Sequence, residues 1–247
     1  MQHFLGLNIK RKRRFGKIRL FSSLPSTNTL LKEKGNSLKG GTVFIAKGQT
    51  SGRGRIGKSF ASPKGKGIYM SYLVRPVRKD KLFDLTPKTA LIITDILKEL
   101  YGLDARIKWV NDILIDNKKL CGILTEVKDD FAIIGIGLNV LGASNDFPED
   151  LKETVITLEE ASGKKYSLKR LAEEIISRLD RLDEMKEVYP RYMERCATTG
   201  KRIIITVGNE RLEARAVSLN SDFSLTVQTE NGKLLTLNSG EVSIRED

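Results

Sequence analysis

KGQTSGRGRIGKSFASPKGKG, residues 47–67, packs six glycines, four lysines and two arginines into 21 positions. Gly52–Gly57, GRGRIG, satisfies G-x-G-x-x-G in form. A dinucleotide fingerprint must open directly into a helix, whose N-terminus receives the pyrophosphate. Here KSFASPKGKG follows, with a proline and two further glycines, and no helix can start there. A kinase-type loop requires later HRD and DFG signatures, and the chain has neither. A doubly wound nucleotide fold and a kinase fold are both excluded, and a loop remains. Its glycines let backbone N–H groups approach an anion. Arg53 and Arg55 add permanent charge and a planar fork suited to carboxylate or phosphate. The segment reads as a loop ordered by such a ligand; a plain surface turn is the alternative.

Strands flank the loop: Thr42–Ala46 before it and Ile68–Val74 after it. Upstream, Lys17–Phe21 reads as a first strand, followed by a helix that starts at Ser26 or Thr27 and stops at Gly35. Downstream, TPKTALIITDILKELYG is a helix with Thr86 as cap, Pro87 in its first turn, and Ala90, Ile93, Leu97 and Leu100 at helical spacing. Strands then follow at Arg106–Trp109, Asp112–Ile115, Leu120–Glu126 and Phe131–Val140. A second amphipathic helix carries Leu168, Leu171, Ile175, Leu179 and Leu182 on one stripe. Beyond Gly200 the pattern changes to five short strands separated by GN, NSD, ENG and NSG turns. The expected fold class is α+β, with a boundary near residue 199: a mixed-sheet unit over 1–199 and a small barrel over 200–247.

Composition narrows the chemistry. The chain has 247 residues, 40% of them hydrophobic, enough for a core. No apolar run approaches the ~20 residues of a membrane span, and the N-terminus shows no secretion signal. Cys121 and Cys196 follow no ligand or disulfide spacing, so buried or idle thiols of a cytoplasmic protein are expected. The one histidine, His3, sits in a polar terminus, which excludes a histidine-based triad or metal site. The formal charge of +12 favours an anionic partner. KRKRRFGKIR, residues 10–19, is a solvated arm or a nucleic-acid contact, but lacks interleaved aromatics for base stacking.

A second constellation lies in RIKWVNDILIDNKKLCGILTE, residues 106–126. Lys108 and Trp109 end one strand, and Asn111 and Asp112 open the next. A cation, a carboxamide and a carboxylate so placed suit an oxyanion together with Mg²⁺ near Asp112. In IIGIGLNV, Gly135 and Gly137 mark a close approach on a strand, read as a flat ligand lying on the sheet with Asn139 at its end.

STN at 26–28, GQTSGRGRIGKSFASPKGKGIYMS at 48–71, KWVND at 108–112, KLCGILTE at 119–126, GIGLNV at 135–140 and SGEVSIR at 239–245 together resemble the biotin–protein ligases, in the family's order. The resemblance implies a mixed-sheet catalytic domain of the biotin/lipoate ligase type followed by an SH3-like barrel. It implies two steps: biotin and ATP give biotinyl-5′-AMP and pyrophosphate, and a lysine of a biotin carboxyl carrier domain then takes the biotinyl group. It implies that Ser26, Thr27, Asn28, Gln49, Gly52, Arg53, Gly54, Arg55 and Lys108 contact biotin. Arg53, Arg55, Lys108, Asn139 and Arg245 would contact ATP or the adenylate, with Lys108 and Arg55 as the catalytic pair. ATP, Mg²⁺ and an acidic carrier domain are the implied cofactors and partner, with no specific DNA binding. A homodimer through edge strands is compatible with the pattern. The family usually reads KWPND, and Val110 replaces the proline; Phe60 and Lys58 stand where tryptophan and arginine are common. About 16 residues precede the first predicted strand, so a form without an N-terminal winged helix-turn-helix is expected. Competing readings are a lipoate–protein ligase or related acyltransferase of the same fold, and a basic nucleic-acid-binding protein.

Overall fold

The computed structural model describes residues 16–77, 80, 82–207, 210–238 and 241–244. His3, most of the basic block and Arg245 lie outside the described residues. The strands are β1 Ile18–Phe21, β2 Val43–Ala46, β3 Gly67–Val74, β4 Arg106–Lys108, β5 Asp112–Ile115, β6 Lys118–Lys128 and β7 Phe131–Asn139. They form one sheet of order β1-β2-β3-β7-β6-β5-β4. β1 and β2 run parallel, and every other pairing is antiparallel. The helix α1, Thr27–Lys34, is the crossover that joins the parallel pair and makes the sheet mixed.

Strand alternation sorts the side chains into two cores. From β3 and β7, Ile68, Met70, Tyr72, Ile134, Ile136 and Leu138 enter the larger core. Helices α2 (Leu85–Tyr101), α4 (Leu168–Leu179) and α5 (Val188–Arg195) cover that core. The short helix α3, Leu158–Ser162, is capped at Thr157 and ended by Gly163. The opposite face holds α1 over a smaller cluster of Leu31, Phe44, Leu73, Phe131 and Ile133. Gly135, Gly137 and Asn139 share this second face, because each lies an even number of residues from Ile133.

α2 starts at Leu85, one residue before the expected cap. The Thr86 hydroxyl lies 2.7 Å from Thr125 Oγ1 and ties the helix to β6 instead of capping it. A tertiary partner has taken the group that sequence logic assigned to the helix end. At the C-terminus Gly102 is left-handed at φ 72°, and Leu103 N–H reaches Leu97 O at 3.1 Å. The expected second helix ends at Leu179, and Leu182 continues the stripe from a separate 3₁₀ turn, Leu182–Glu184.

Strands β8 Arg202–Val207, β9 Glu210–Leu219, β10 Leu225–Thr229, β11 Leu234–Leu237 and β12 Glu241–Ile244 form a second, antiparallel sheet of order β11-β10-β9-β8-β12. This arrangement is consistent with the SH3-like unit expected. Its core is continuous with that of the first unit, since Ile203, Ala216, Leu225 and Val227 belong to the same apolar cluster as residues of α2 and β7. Trp109 is the joint: it is 2% exposed, and its indole Nε1 donates to Phe223 O at 2.8 Å. Its backbone N–H donates to Thr198 Oγ1 at 2.9 Å, and the Tyr192 hydroxyl donates to Val110 O at 3.1 Å. Cys121 and Cys196 are both buried free thiols. Among the described residues, no helix is long and apolar enough to cross a membrane.

Candidate active site

Ser26 is extended and its side chain caps α1 at Thr29 N–H, which sets where the helix begins. The first turn is then tied to the loop before β3. Thr27 donates to Gln49 Oε1 from its backbone N–H at 2.8 Å and from its hydroxyl at 3.1 Å. Gln49 Nε2 donates onward to Ser62 Oγ at 2.9 Å. Below them Ser71, fully buried on β3, has its hydroxyl 2.7 Å from Thr27 Oγ1 and 2.5 Å from Asn28 Oδ1.

The close approach expected at the strand glycines is present. A Cβ on Gly135 would lie 2.3 Å from Asn28 Oδ1, and one on Gly137 would lie 2.4 Å from the Phe60 ring. The close approach that the two glycines permit is made by the protein's own carboxamide and ring, and both glycines also line the cavity. Phe60 reaches this place because the glycine-rich segment folds as a hairpin. Phe60 N–H donates to Gly52 O at 2.8 Å, and Gly54 N–H donates to Lys58 O at 2.7 Å. The turn is closed by Lys58 N–H to Arg55 O at 3.0 Å, with Ile56 and Gly57 both left-handed at φ 50° and 73°. Two left-handed central residues define the primed turn that matches strand twist. Gly52 is required by contact: a Cβ there would sit 2.3 Å from Phe60 O.

Glu126 anchors one end of the site. It accepts from Asn28 Nδ2 at 3.1 Å, Lys32 Nζ at 3.0 Å and Arg53 Nη1 at 3.1 Å. Burial pushes its carboxyl up, but the hydrogen bonds from Lys32 and Asn28 and the charge of Arg53 outweigh this and hold it below the ordinary carboxylate range. A depressed folded pKa contributes stability above the unfolded value, and that stability is lost as pH falls through the folded value. Glu126→Gln is therefore expected to lose stability at neutral pH and to converge on the wild type in acid. Urea unfolding across the acidic range checks this; a difference independent of pH would contradict it.

The other end is built on the β4–β5 turn, where the Trp109–Val110 peptide is cis. Lys108 lines the cavity together with Asn111 and Asp112. Arg55 Nη1 donates to Asn111 Oδ1 at 2.8 Å. Asn111 Nδ2 donates to Asp112 Oδ1 at 3.1 Å and to Ile123 O at 3.0 Å. Asp112 Oδ1 is also 2.8 Å from Lys119 Nζ. A carboxylate already engaged by an ammonium is a poor metal ligand, and among the described residues no three His, Cys, Asp or Glu side chains group to hold a metal. The residues present do not fit a resident Mg²⁺ site at Asp112.

Ser26, Thr27, Asn28, Gln49, Arg53, Gly54, Arg55 and Lys108 thus converge on one cavity of about 190 Å³. Gly52, at the base of the hairpin, is buried and lies outside the lining. Asn139 is also outside it, 2% exposed, with Nδ2 3.4 Å from both Lys119 O and Ile156 O. Its carboxamide oxygen is buried and makes no hydrogen bond among the described residues. Sequence reasoning missed Ser71, Glu126, Lys119 and Val242. Alternation down β3 from the core residues Met70 and Tyr72 places Ser71 on the site face, and the even spacing of Gly122, Leu124 and Glu126 was equally available. Val242 arrives from the second sheet and lies within SGEVSIR, the segment from which the sequence reading took only Arg245.

Residues 20–139 match the model of the Biotin/lipoate A/B protein ligase family. That segment carries every cavity-lining residue except Val242. The chain also superposes on the structure of the biotin protein ligase from Aquifex aeolicus in complex with biotin and ATP. The TM-score is 0.80 at 28% identity, over 94% of this chain and 99% of that one. Over residues 20–139, just under half of its length, the chain is thus similar to the biotin/lipoate A/B protein ligase family. Among similar curated proteins, the bifunctional ligase/repressor BirA of Bacillus subtilis is 40% identical over 136 residues, 53% of this chain and 42% of that protein. The biotin–[acetyl-CoA-carboxylase] ligase of Mycobacterium tuberculosis is 28% identical over 215 residues, 82% of this chain and 78% of that one. The match thus spans less than half the length of the Bacillus relative.

Proposed function

We propose that the chain is a biotin–protein ligase. Biotin's carboxylate oxygen attacks the α-phosphorus of ATP, the bond to the β,γ-phosphates breaks, and biotinyl-5′-AMP and pyrophosphate result. The ε-amine of a carrier-domain lysine then attacks the acyl carbon, AMP departs and the new amide nitrogen loses a proton. The supporting observation is the convergence of α1, the glycine-rich hairpin and Lys108 on one cavity. The first step needs no base, because a carboxylate is already ionised at neutral pH. It needs alignment of two anions and neutralisation of charge as it shifts to the departing oxygen.

In this reading the first turn of α1 and Gln49 hold the neutral, hydrogen-bonding end of biotin, and Gly52, Arg53 and Gly54 carry the hairpin over it. Arg55 and Lys108 face the carboxylate and α-phosphate. Asn139 and Arg245 remain candidates for the nucleotide side. Mg²⁺ would enter with the ATP phosphates, which suits an ion that keeps several waters and few protein ligands. The division near residue 199 gives a catalytic unit and a small C-terminal unit that contributes Val242 to the cavity.

The test is the intact mass of an acidic biotin carboxyl carrier domain after incubation with this protein, ATP, Mg²⁺ and biotin. One biotinyl group should be added, and none without ATP. Addition of lipoate in place of biotin, or no addition, overturns the reading. A chain of +12 formal charge should recruit an acidic carrier by electrostatic attraction. The carrier KM is therefore expected to rise with salt while the biotin KM changes little, as steady-state transfer at several ionic strengths would show.

A further inference from the structure

β6 carries a register shift opposite β5. Asp112 pairs with Gly122 and Ile113 with Cys121, but Leu114 pairs with Lys119, so Leu120 is an extra residue on β6. Leu120 and Cys121 both enter the large core. Without the bulge, Lys119 would share the core face of Cys121 and Ile123. With it, Lys119 moves to the face of Asp112 and Gly122, where it lines the cavity. Bulges commonly re-aim a side chain beside an active site. Lys119, next to the bulged residue, is also held from its other side, since its N–H donates to Thr154 O at 2.8 Å and Ile156 N–H donates to its O at 3.1 Å.

We propose that Lys119 is a positioning residue that acts through Asp112. Its ammonium, 2.8 Å from Asp112 Oδ1, holds the carboxylate against Asn111 Nδ2. That contact fixes which way the Asn111 carboxamide faces, leaving Oδ1 toward the loop to accept from Arg55. Gly122 leaves the room this path needs, because a Cβ there would lie 3.2 Å from Lys119 Nζ. Loss of the ammonium leaves Asp112, 19% exposed at its side chain, without its cation. Arg55, bonded to the adjacent Asn111, is then drawn to the carboxylate, and the hairpin tip moves with it.

The catalytic part of this inference rests on the ligase reading, whereas the loop part does not. The experiment therefore compares K119M, D112N and K119M/D112N in the full chain by two measurements. Without ligand, hydrogen exchange at the Gly54, Lys58 and Phe60 amides should rise about 10-fold in K119M and return close to the D112N level in the paired variant. In biotin-dependent ATP–pyrophosphate exchange, kcat should fall about 10-fold in K119M and recover in K119M/D112N to the D112N value. Unchanged loop protection in K119M overturns the proposal. A paired variant no better than K119M in both measurements also overturns it, by showing that the ammonium acts on something other than Asp112. If the wild type shows no exchange activity the ligase reading falls, and the loop measurement still decides the role of Lys119.

Discussion

Lys108→Ala is expected to lower adenylate formation by at least ~100-fold, the scale of removing one charge-stabilising contact in a transition state. Lys108 is the last residue of β4, paired across to Asp112, and its carbonyl accepts from Asn111 N–H at 3.2 Å. Its neighbour Trp109 is locked by Thr198 and Phe223. The backbone beneath the ammonium is therefore held independently of the side chain, and truncation should leave the fold intact. This separates chemistry from stability: kcat for biotin-dependent ATP–pyrophosphate exchange falls while the thermal midpoint stays near that of the wild type. Exchange close to normal would remove Lys108 from the reaction. A large drop in the midpoint would mean that its role is structural.

Gly135→Ala is the second large effect expected. The new Cβ would meet Asn28 Oδ1 at 2.3 Å, closer than real contacts allow. In many places a side chain would swing aside, but Asn28 is tied on both ends of its carboxamide. Nδ2 donates to Leu124 O and Glu126, and Oδ1 accepts from Ser71. Relief must come from shifting the first turn of α1, which carries Thr27 and its bonds to Gln49. Overpacking of this kind costs about 1–3 kcal/mol. The biotin KM should rise about 10-fold or more, the equivalent of 1.4 kcal/mol. Calorimetric titration and unfolding together check it. A variant with normal stability and normal biotin affinity would show that α1 is free to move. Gly137→Ala offers a contrast, because there the obstacle is the Phe60 ring, and Phe60→Leu should relieve it.

Much of the fold was legible before the structure was seen. The Ser26 cap and the left-handed glycine at 102 are local devices, satisfied within a few residues of themselves, whereas Gly35 at the end of α1 is right-handed and makes room for the distant Phe131 ring. The alternation in IIGIGLNV was also local, and it correctly put the glycines on a strand. What it did not contain was the identity of their neighbours. Asn28 and Phe60 are separated from these glycines by well over seventy residues, and only the stacking of α1 and the hairpin on the sheet brings them there. Thr86 shows the same limit, since a hydroxyl suited to capping found Thr125 on another element. Lys119 was hidden for a different reason. Strict alternation assigns it to the core, and the adjacent apolar pair Leu120-Cys121 was the only mark of the bulge that turns it outward.

The sequence by itself determined the order and type of the elements, and it supplied the cationic and amide-bearing side chains that line the cavity. These are properties of short segments and of composition, governed by backbone sterics, capping and side-chain chemistry. The tertiary structure alone decided which charges pair. Glu126 holds Arg53 and Lys32, Lys119 holds Asp112, and Asn111 receives Arg55. It also decided that Trp109 joins the two sheets and that Val242 reaches the cavity. Except for Lys119 and Asp112, which face each other across one hairpin, these pairings join residues far apart in the chain, and their energies depend on burial and on distances of a few ångströms. Neither quantity exists until the sheet, the helix and the hairpin have packed.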